Sequence, residues 1–196
     1  MTATISDADL DILFRRARTF RAWKDEPVSR VILQAVFELA ALGPTNANSQ
    51  PGRFLFLTTR PAKERLRPYL DAGNVDKTMR APVTVIIGYD LNFAEQLPRL
   101  APHNPNLKND FEDPAFAAEA AFRSGTLQGG YLILAARALG LDCGPMSGFD
   151  NAGVDKEFFA GTTIRSNFLC NLGHGNPESL FPRQPRLTFD DACKVL

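Results

Sequence analysis

Apolar residues recur every three or four positions in several stretches of the chain, which is the spacing of an amphipathic helix. A serine cap and an acidic first turn predict a first helix from about Asp7 to Phe20. A second predicted helix follows a cap at Ser29, and Gly43-Pro44 ends it. The longest predicted helix begins at Pro114 and ends after Leu139, and its middle is rich in Ala, Gly and Ser. Shorter helices are expected from Pro61 toward Leu70 and from Asp150 to Phe159.

Short runs of β-branched and aromatic residues predict the strands. Val83–Tyr89 is apolar on both faces, so we expect it at the centre of a sheet. Further strands are expected at Phe54–Leu57, near Leu141–Cys143 and at Asn167–Leu172. Because helices and strands mix without the rhythm of βαβ units, the pattern favours a single α+β domain over residues 1–196, with helices flanking the sheet.

Residues 97–114 hold four Pro, three Asn and one His. An irregular connection of this length is typical of a functional lid or binding loop.

Composition narrows the classes of function. Lys plus Arg equals Asp plus Glu at 22 each, so no excess positive charge favours nucleic acid as a partner. No apolar run approaches the roughly 18 residues of a membrane-spanning helix, and the first residues lack the layout of a signal peptide. We therefore predict a cytoplasmic protein that spans no membrane.

The common catalytic motifs are missing. The chain has neither G-x-G-x-x-G after a strand nor a P-loop, and Ser147 stands one place too late for G-x-S-x-G. Three widely spaced cysteines and two histidines describe neither a disulfide framework nor a metal site. Cys170 and His174 are four residues apart, but a structural cysteine is the favoured interpretation.

Groups suited to binding an anionic, polar cofactor are dispersed along the chain. A guanidinium binds phosphate through parallel hydrogen bonds, and a loop dense in amides and hydroxyls offers many donors. Each group also has an ordinary interpretation as a turn, a helix cap or a solvated charge. The groups are Arg18, Thr19 and Arg21, the loop Gly43–Gly52, Asn74 and Lys77, the segment Gly144–Gly148, and Arg183 and Arg186.

The order and spacing of these groups resemble the FMN-dependent nitroreductase family over about 170 residues. The resemblance lies in Arg18-Thr19-Phe20-Arg21-Ala22-Trp23 before Pro27-Val28, in Pro44-Thr45-Asn46-Ala47-Asn48-Ser49-Gln50-Pro51, in Asn74-x-x-Lys77, in Ala138-Leu139-Gly140-Leu141-Asp142 and in Pro145-Met146-Ser147-Gly148-Phe149-Asp150. Within the family, the chain is most similar to the malonic semialdehyde reductase branch of pyrimidine breakdown. Additional segments carry that likeness, including Glu64–Pro68, Ala81–Thr84, Leu97-Pro98 and Pro102-His103. Two positions depart from the family pattern: Ala17 stands where an arginine is frequent, and Ser147 where many members have Glu.

The resemblance implies a central mixed or antiparallel sheet and an entwined homodimer with one FMN between the subunits at each site. It implies no protein acid or base, because hydride passes from NADH or NADPH to flavin N5 and then to the acceptor in a ping-pong cycle. The cofactor-binding residues implied are Arg18, Thr19, Arg21, Pro44, Thr45, Asn46, Asn48, Asn74, Lys77, Pro145, Met146, Ser147, Gly148, Arg183 and Arg186.

The predicted activity is therefore an FMN-dependent NAD(P)H oxidoreductase that reduces malonic semialdehyde to 3-hydroxypropanoate. Arg99, His103 and Arg123 are the candidates for binding the substrate carboxylate. The alternatives are a broad nitroreductase or quinone reductase on the same fold, a flavin-binding protein without turnover, and a thiol enzyme using Cys170 and His174.

Overall fold

The computed structural model describes residues 4–196, so the first three residues of the predicted domain lie outside it. Its sheet has four strands in the order β1-β2-β4-β3, and every neighbouring pair is antiparallel. β2 lies in the interior of the sheet with Val85, Ile86 and Ile87 fully buried, which confirms the predicted central strand. The strands are β1 (Gly52–Leu57), β2 (Val83–Asp90), β3 (Asp142–Met146) and β4 (Ile164–Gly173).

Helices cover both faces of this sheet. Apolar side chains of α2 and α6 form a core on one face, and those of α3 and α7 form a core on the other. The helices are α1 (Asp7–Leu10), α2 (Arg30–Ala40), α3 (Arg60–Leu66), α4 (Ala72–Arg80), α5 (Leu97–Leu100), α6 (Pro114–Ala138), α7 (Asn151–Phe158) and α8 (Phe189–Ala192). The second helix, the long helix and the short helix before β4 thus lie where the sequence predicts them.

The first helix is shorter than the sequence predicts. α1 continues as a π-helical turn, Asp11–Arg15, and then ends, so the prediction that it reaches Phe20 is wrong. Beyond it Thr19 forms a parallel bridge with Cys143, and the Phe20 N–H donates to the Cys143 carbonyl oxygen at 3.0 Å. Pairing with the edge strand β3 therefore replaces helical hydrogen bonds, and Arg18 and Arg21 lie on either side of this bridge on non-helical backbone.

β3 is longer than predicted. The backbone of Gly144, Pro145 and Met146 pairs with β4, so within the predicted segment Gly144–Gly148 these three residues do not offer a run of free N–H groups to a cofactor. Only Ser147 and Gly148 follow the strand before Phe149. Among the described residues, none accepts a hydrogen bond from the Gly148 N–H.

The Pro-rich segment 97–114, called the cap below, is ordered and packs around its own small apolar core. Phe93, Leu97 and Phe111 are buried together with alanines from the start of α6. The ring of Phe111 makes an edge contact with Phe93 and stacks on Phe116. The segment contains α5 and a 3-10 turn, Leu107–Phe111, and is therefore not the irregular loop that its composition suggests.

Candidate functional site

Five arginines from three distant parts of the chain line one pocket of about 320 Å³. Two belong to the segment after α1, one to the last turn of α6 and two to the segment after β4. No Asp or Glu lines this pocket, and within residues 4–196 none of the five forms an ion pair. The arginines are Arg18, Arg21, Arg137, Arg183 and Arg186, and Thr19 lies beside them.

The arginine pocket is held together by hydrogen bonds to main-chain carbonyls. The Arg18 guanidinium donates to the Phe181 carbonyl oxygen, and Arg21 lies over the Phe181 ring at 5.0 Å from its centroid. Arg183 donates to the carbonyl oxygens of Arg15 at 2.6 Å and Ala17 at 2.9 Å. Because these acceptors carry no net charge, the positive charges of the pocket remain available to an anion.

Sequence analysis places four of these arginines in one site but misses Arg137. Its guanidinium donates to the Leu13 carbonyl oxygen at 3.2 Å and is half-buried. In the sequence, a basic residue in the last turn of a helix is typical of favourable interaction with the helix dipole. No local signal distinguishes that role from a place in a binding pocket.

Asn74 and Lys77 lie one turn apart on α4, a helix that sequence analysis does not predict. The Asn74 side-chain amide donates to the Gly148 carbonyl oxygen at 2.6 Å, and the Asp71 N–H donates to the same oxygen at 3.1 Å. A Cβ at Gly148 would lie 2.6 Å from Asp71 Oδ2 and 2.7 Å from Asn74 Nδ2. A side chain at position 148 would therefore displace the Asp71 and Asn74 side chains from this arrangement.

Lys77 connects this second cluster to the arginine pocket. Burial lowers the pKa of the Lys77 ammonium, and the positive charge of Arg21 lowers it further. The two cations thus lie close enough to repel each other, and within residues 4–196 neither forms an ion pair. An anionic group placed there would relieve that repulsion.

The loop Pro44–Pro51 is compact and strained. Ala47, Asn48 and Gln50 have φ angles of 54°, 52° and 43°, in the left-handed region that non-glycine residues rarely adopt. The Asn48 side-chain amide donates to the Leu100 carbonyl oxygen at 2.8 Å, and the Asn46 N–H donates to Ser124 Oγ at 3.2 Å. Strain of this kind persists where surrounding contacts enforce it, and it is frequent at functional sites.

Within one chain, this loop does not meet the arginine pocket. Pro44, Thr45, Asn46 and Asn48 are absent from the lining of that pocket, and Asn46 instead borders a groove along α6. In a single chain the predicted cofactor residues therefore lie in two separate places. The loop residues Pro44, Thr45, Asn46 and Asn48 lie apart from the arginine pocket.

The groove along α6 has a volume of about 790 Å³ and a largely apolar lining that includes Phe116, Phe122 and Leu127. Arg123 also lines it, but its guanidinium donates to Glu119 Oε1 at 3.0 Å. The positive charge of Arg123 is thus balanced within the same helix.

Arg99 and His103, the other two predicted substrate residues, are exposed on α5 and on the turn after it. Neither lines the α6 groove. The structure does not bring the three predicted carboxylate-binding residues into one pocket.

The geometry contradicts the thiol-enzyme alternative. Cys170 is fully buried in β4, and a hydrogen bond with Cys143, together with burial, raises the pKa of its thiol well above its usual value. His174 lies 3.8 Å from the carboxylate of Glu26. Cys170 is therefore a protonated core residue, as the sequence favours.

Among residues 4–196, no group of three or more His, Cys, Asp or Glu side chains is placed to hold a metal ion. No helix in that range combines the length and apolar character needed to cross a bilayer.

Comparison with known proteins identifies the class to which this fold and site belong. The sequence profile of the nitroreductase family matches residues 14–174, and the chain belongs to that family. Two relatives provisionally named NADH dehydrogenase/NAD(P)H nitroreductase are similar over their length. The one from Stenotrophomonas maltophilia is 57% identical over 196 residues, covering 100% of both chains. The one from Cupriavidus pinatubonensis is 56% identical over 189 residues, covering 95% of this chain and 96% of that protein.

A solved structure has the same fold. A protein from Exiguobacterium sibiricum that is provisionally named a nitroreductase was crystallised in complex with FMN. Its structure superposes on this one with a TM-score of 0.87 at 20% sequence identity, and the alignment covers 100% of both chains. The α+β, antiparallel nitroreductase-like fold predicted from the sequence is thereby confirmed. The chain is an oxidoreductase of the nitroreductase family.

Proposed function

We propose that this protein is an FMN-dependent NAD(P)H oxidoreductase that works by a ping-pong cycle. The observation that carries the proposal is the arginine pocket itself, lined within the described residues by five arginines and by no Asp or Glu, with Lys77 of α4 near enough to Arg21 for that charge to lower the Lys77 pKa. A phosphate-binding end and a polar, half-buried end, joined by cations, match a molecule with a phosphate at one end and a heterocycle at the other. The FMN-bound structure of the same fold and the names of the relatives agree with this assignment.

The residues present fit FMN at both ends. Arg18, Arg183 and Arg186, with Arg137 beside them, would bind the phosphate, and no carboxylate in the pocket opposes it. Arg21 and Lys77 would favour the reduced flavin by Coulomb attraction. Bound FMN supplies hydride chemistry that no side chain of the protein offers.

The segment after β3 suits the flavin ring. Gly148 presents an N–H without a protein acceptor among the described residues, and its missing Cβ lets the Asp71 and Asn74 side chains lie close against the main chain there. Ser147 is exposed and uncharged where many family members carry Glu. A neutral side chain there adds no negative charge near the ring, and we therefore expect it to leave the flavin easier to reduce.

We further propose a homodimer in which the loop Pro44–Pro51 of each chain completes the flavin site of the other. The division of the predicted cofactor residues into two separate groups supports this arrangement. Exposed apolar side chains on α2 and α6 support it as well, because a monomer would leave them in water. They are Val31, Phe37 and Leu39 on α2 and Phe116, Phe122 and Leu127 on α6, and Leu42 on the turn after α2 is exposed as well.

For the electron acceptor we propose malonic semialdehyde, with 3-hydroxypropanoate as product. Support comes from the sequence resemblance to that branch and from Arg99, which is exposed on the cap near His103 and forms no ion pair within residues 4–196. The α6 groove favours a second candidate, a broad nitroreductase or quinone reductase. Its phenylalanines and leucine suit an aromatic acceptor, and Arg123 is already paired with Glu119.

The cofactor proposal is tested by the purified protein and its reaction with NADH and NADPH. We expect about one FMN per chain, released on denaturation, and loss of the flavin absorbance when either nucleotide is added without oxygen. A flavin that stays oxidised under both nucleotides would identify a storage or sensing protein. A protein that takes up no FMN would refute the assignment altogether.

The acceptor proposal is tested by comparing kcat/KM for malonic semialdehyde, a neutral aldehyde of similar size and a nitroaromatic compound. If Arg99 or His103 binds the substrate carboxylate, Arg99→Ala or His103→Ala should lower kcat/KM for malonic semialdehyde by about ten- to a hundredfold. The kcat/KM for the neutral aldehyde should not change. Glu119→Gln is the matched test of Arg123, because it releases that cation without removing it. Preference for the nitroaromatic in every variant would establish the broad reductase instead.

A further inference from the structure

The carboxyl-terminal end of α4 is held by side chains from two other parts of the fold. A helix end leaves carbonyl oxygens without intrahelical donors, and these need partners when they are buried. The Lys63 ammonium, on α3, donates to the carbonyl oxygens of Thr78 at 3.4 Å, of Met79 at 3.1 Å and of Ala81. The Trp23 indole N–H donates to the carbonyl oxygen of Lys77 at 3.1 Å.

Lys63 is an unusual residue for this task. It is 5% exposed, and the described chain gives its ammonium no carboxylate partner. Burial lowers its pKa, and the neighbouring Arg60 lowers it further. Burying a lysine carries a desolvation cost that is offset here by three carbonyl oxygens and by the negative end of the α4 dipole.

The helix that Lys63 holds is short and carries two residues of the proposed flavin site. α4 has nine residues, and a helix of that length is marginal without tertiary contacts. Thr78 is fully buried and hydrogen-bonds to Met146 Sδ at 3.5 Å, and it also accepts from Asn171 at 3.4 Å. The position of α4 is therefore set at its buried face by Thr78 and at its end by Lys63.

We propose that Lys63 is a positioning residue for the cofactor: its ammonium fixes the end of α4 so that Asn74 and Lys77 keep their places toward the flavin. This inference rests on the proposed function. Lys63 itself touches neither the arginine pocket nor Gly148, so its effect passes through α4. Loss of that hold should allow Lys77 to move and should weaken the preference for reduced flavin.

The test compares Lys63→Met, Lys63→Arg and the control Arg60→Met. Arg60→Met removes a cation from the same helix, but that cation is exposed and paired with Glu64 at 2.7 Å. We expect Lys63→Met to weaken FMN binding about tenfold and to shift the flavin midpoint potential to a more negative value. In the apoprotein, amide hydrogen exchange of residues 72–81 should become about tenfold faster. Lys63→Arg should recover most of each change, and Arg60→Met should leave all three within about twofold.

Wild-type affinity, potential and α4 exchange in Lys63→Met would overturn the inference. Faster exchange throughout the protein with an unchanged potential would also overturn it, since Lys63 would then serve stability alone. If Lys63→Met does not fold, Trp23→Phe removes the other donor at the same helix end and should shift the potential in the same direction. If the wild-type protein binds no FMN, the proposed function fails, while faster exchange confined to α4 in Lys63→Met would still show that Lys63 positions this helix.

Discussion

The side-chain amide of Asn74 and the carbonyl oxygen of Gly148 are joined by a hydrogen bond of 2.6 Å. The two residues lie 74 positions apart in the sequence, one on α4 and the other directly after β3. This bond brings a side-chain amide and the main chain of a glycine to one place. It is there that we locate the heterocyclic end of the cofactor.

The first prediction concerns Gly148→Ala. The added Cβ would lie within 2.7 Å of both Asp71 Oδ2 and Asn74 Nδ2, so Asn74 must move away. We expect FMN affinity to fall about tenfold or more, because Asn74 would no longer be placed to make its proposed hydrogen bond to the flavin ring. Gly73→Ala on the same helix meets nothing within 4 Å and should retain the affinity of the wild type, which fluorescence titration of apoprotein with FMN would show.

The second prediction concerns the arginine pocket. Replacing Arg18, Arg137, Arg183 or Arg186 singly by alanine should cost about 1.5 to 3 kcal/mol of binding, which is ten- to a hundredfold in FMN affinity. Arg15→Ala is the control, because Arg15 is exposed and paired with Asp7 at 2.9 Å. Titration with riboflavin separates the contributions, since it lacks the phosphate and should bind all these variants equally. Unchanged FMN affinity in all four pocket variants would rule out the pocket as the phosphate site.

The third prediction tests the homodimer. Leu127→Asp places a charge on the exposed apolar face of α6, where the native side chain is 45% exposed in the single chain. If that face is an interface, the variant should elute as a monomer and lose FMN, while its circular dichroism remains that of a folded protein. The control variant is Val195→Asp, which adds the same charge at an apolar residue outside α6 that is 82% exposed. The Val195→Asp protein should remain a dimer. A dimeric Leu127→Asp variant would place the interface on another surface.

The fourth prediction is a pH dependence of stability at Asp90. Burial alone would raise its pKa, but hydrogen bonds from Thr163 and the Asn92 N–H and the nearby Arg53 guanidinium outweigh that effect and lower it from 3.8. The ionised form of Asp90 is therefore favoured over the protonated form more strongly in the folded protein than in the unfolded chain. The resulting stability is fully present above about pH 4 and is lost as the pH falls through the lowered folded pKa.

The corresponding measurement is urea denaturation of the wild type and Asp90→Asn at pH 7 and near pH 3. We expect the variant to be less stable by about 1.5 to 3 kcal/mol at pH 7 and the gap to narrow in acid. Glu95→Gln is the control, because its partner Lys108 is at 3.3 Å on the surface, and the pair should contribute little at either pH. A gap that is equal at both pH values would contradict the assignment of the lowered pKa to Asp90.

The fifth prediction concerns the cysteines. Cys193 is exposed, whereas Cys143 and Cys170 are buried. Iodoacetamide at pH 8 should modify Cys193 alone in the native protein, and NAD(P)H oxidation should persist after the modification. Intact mass and peptide mapping would show the sites. Inactivation that follows modification of Cys170 would restore the thiol-enzyme alternative.

The helices and strands predicted correctly are those whose type is determined by the local pattern of apolar, β-branched and capping residues. β2 is β-branched and apolar on both faces, and α6 combines helix formers with a proline start and a glycine end. Local pattern does not predict α4, because the segment AGNVDKTMR is polar and contains Gly73, and its stabilising contacts come from distant residues such as Lys63 and Trp23. The first helix ends early because the chain pairs with β3, a contact that no local pattern reveals.

The candidate site shows the same division. Arg18, Arg21, Arg183 and Arg186 were found through motif order, and the structure places them together. Arg137 was missed, since its role depends on where α6 ends in space. The i,i+4 spacing of Glu119 and Arg123 is a sequence signal for their ion pair, and it disfavours Arg123 as a ligand of a substrate carboxylate.

The arginine pocket also has a consequence for how the protein is made. Arg18 and the carbonyl oxygen of Phe181 that it contacts are separated by 163 positions, and Arg137 joins them from a third region. On the ribosome, the sheet and α6 can be synthesised and begin to fold before residues 181–186 leave the exit tunnel. The arginine pocket, our proposed phosphate site, is therefore completed only after the segment that follows β4 has emerged, and FMN binding at that pocket would follow the folding of the sheet.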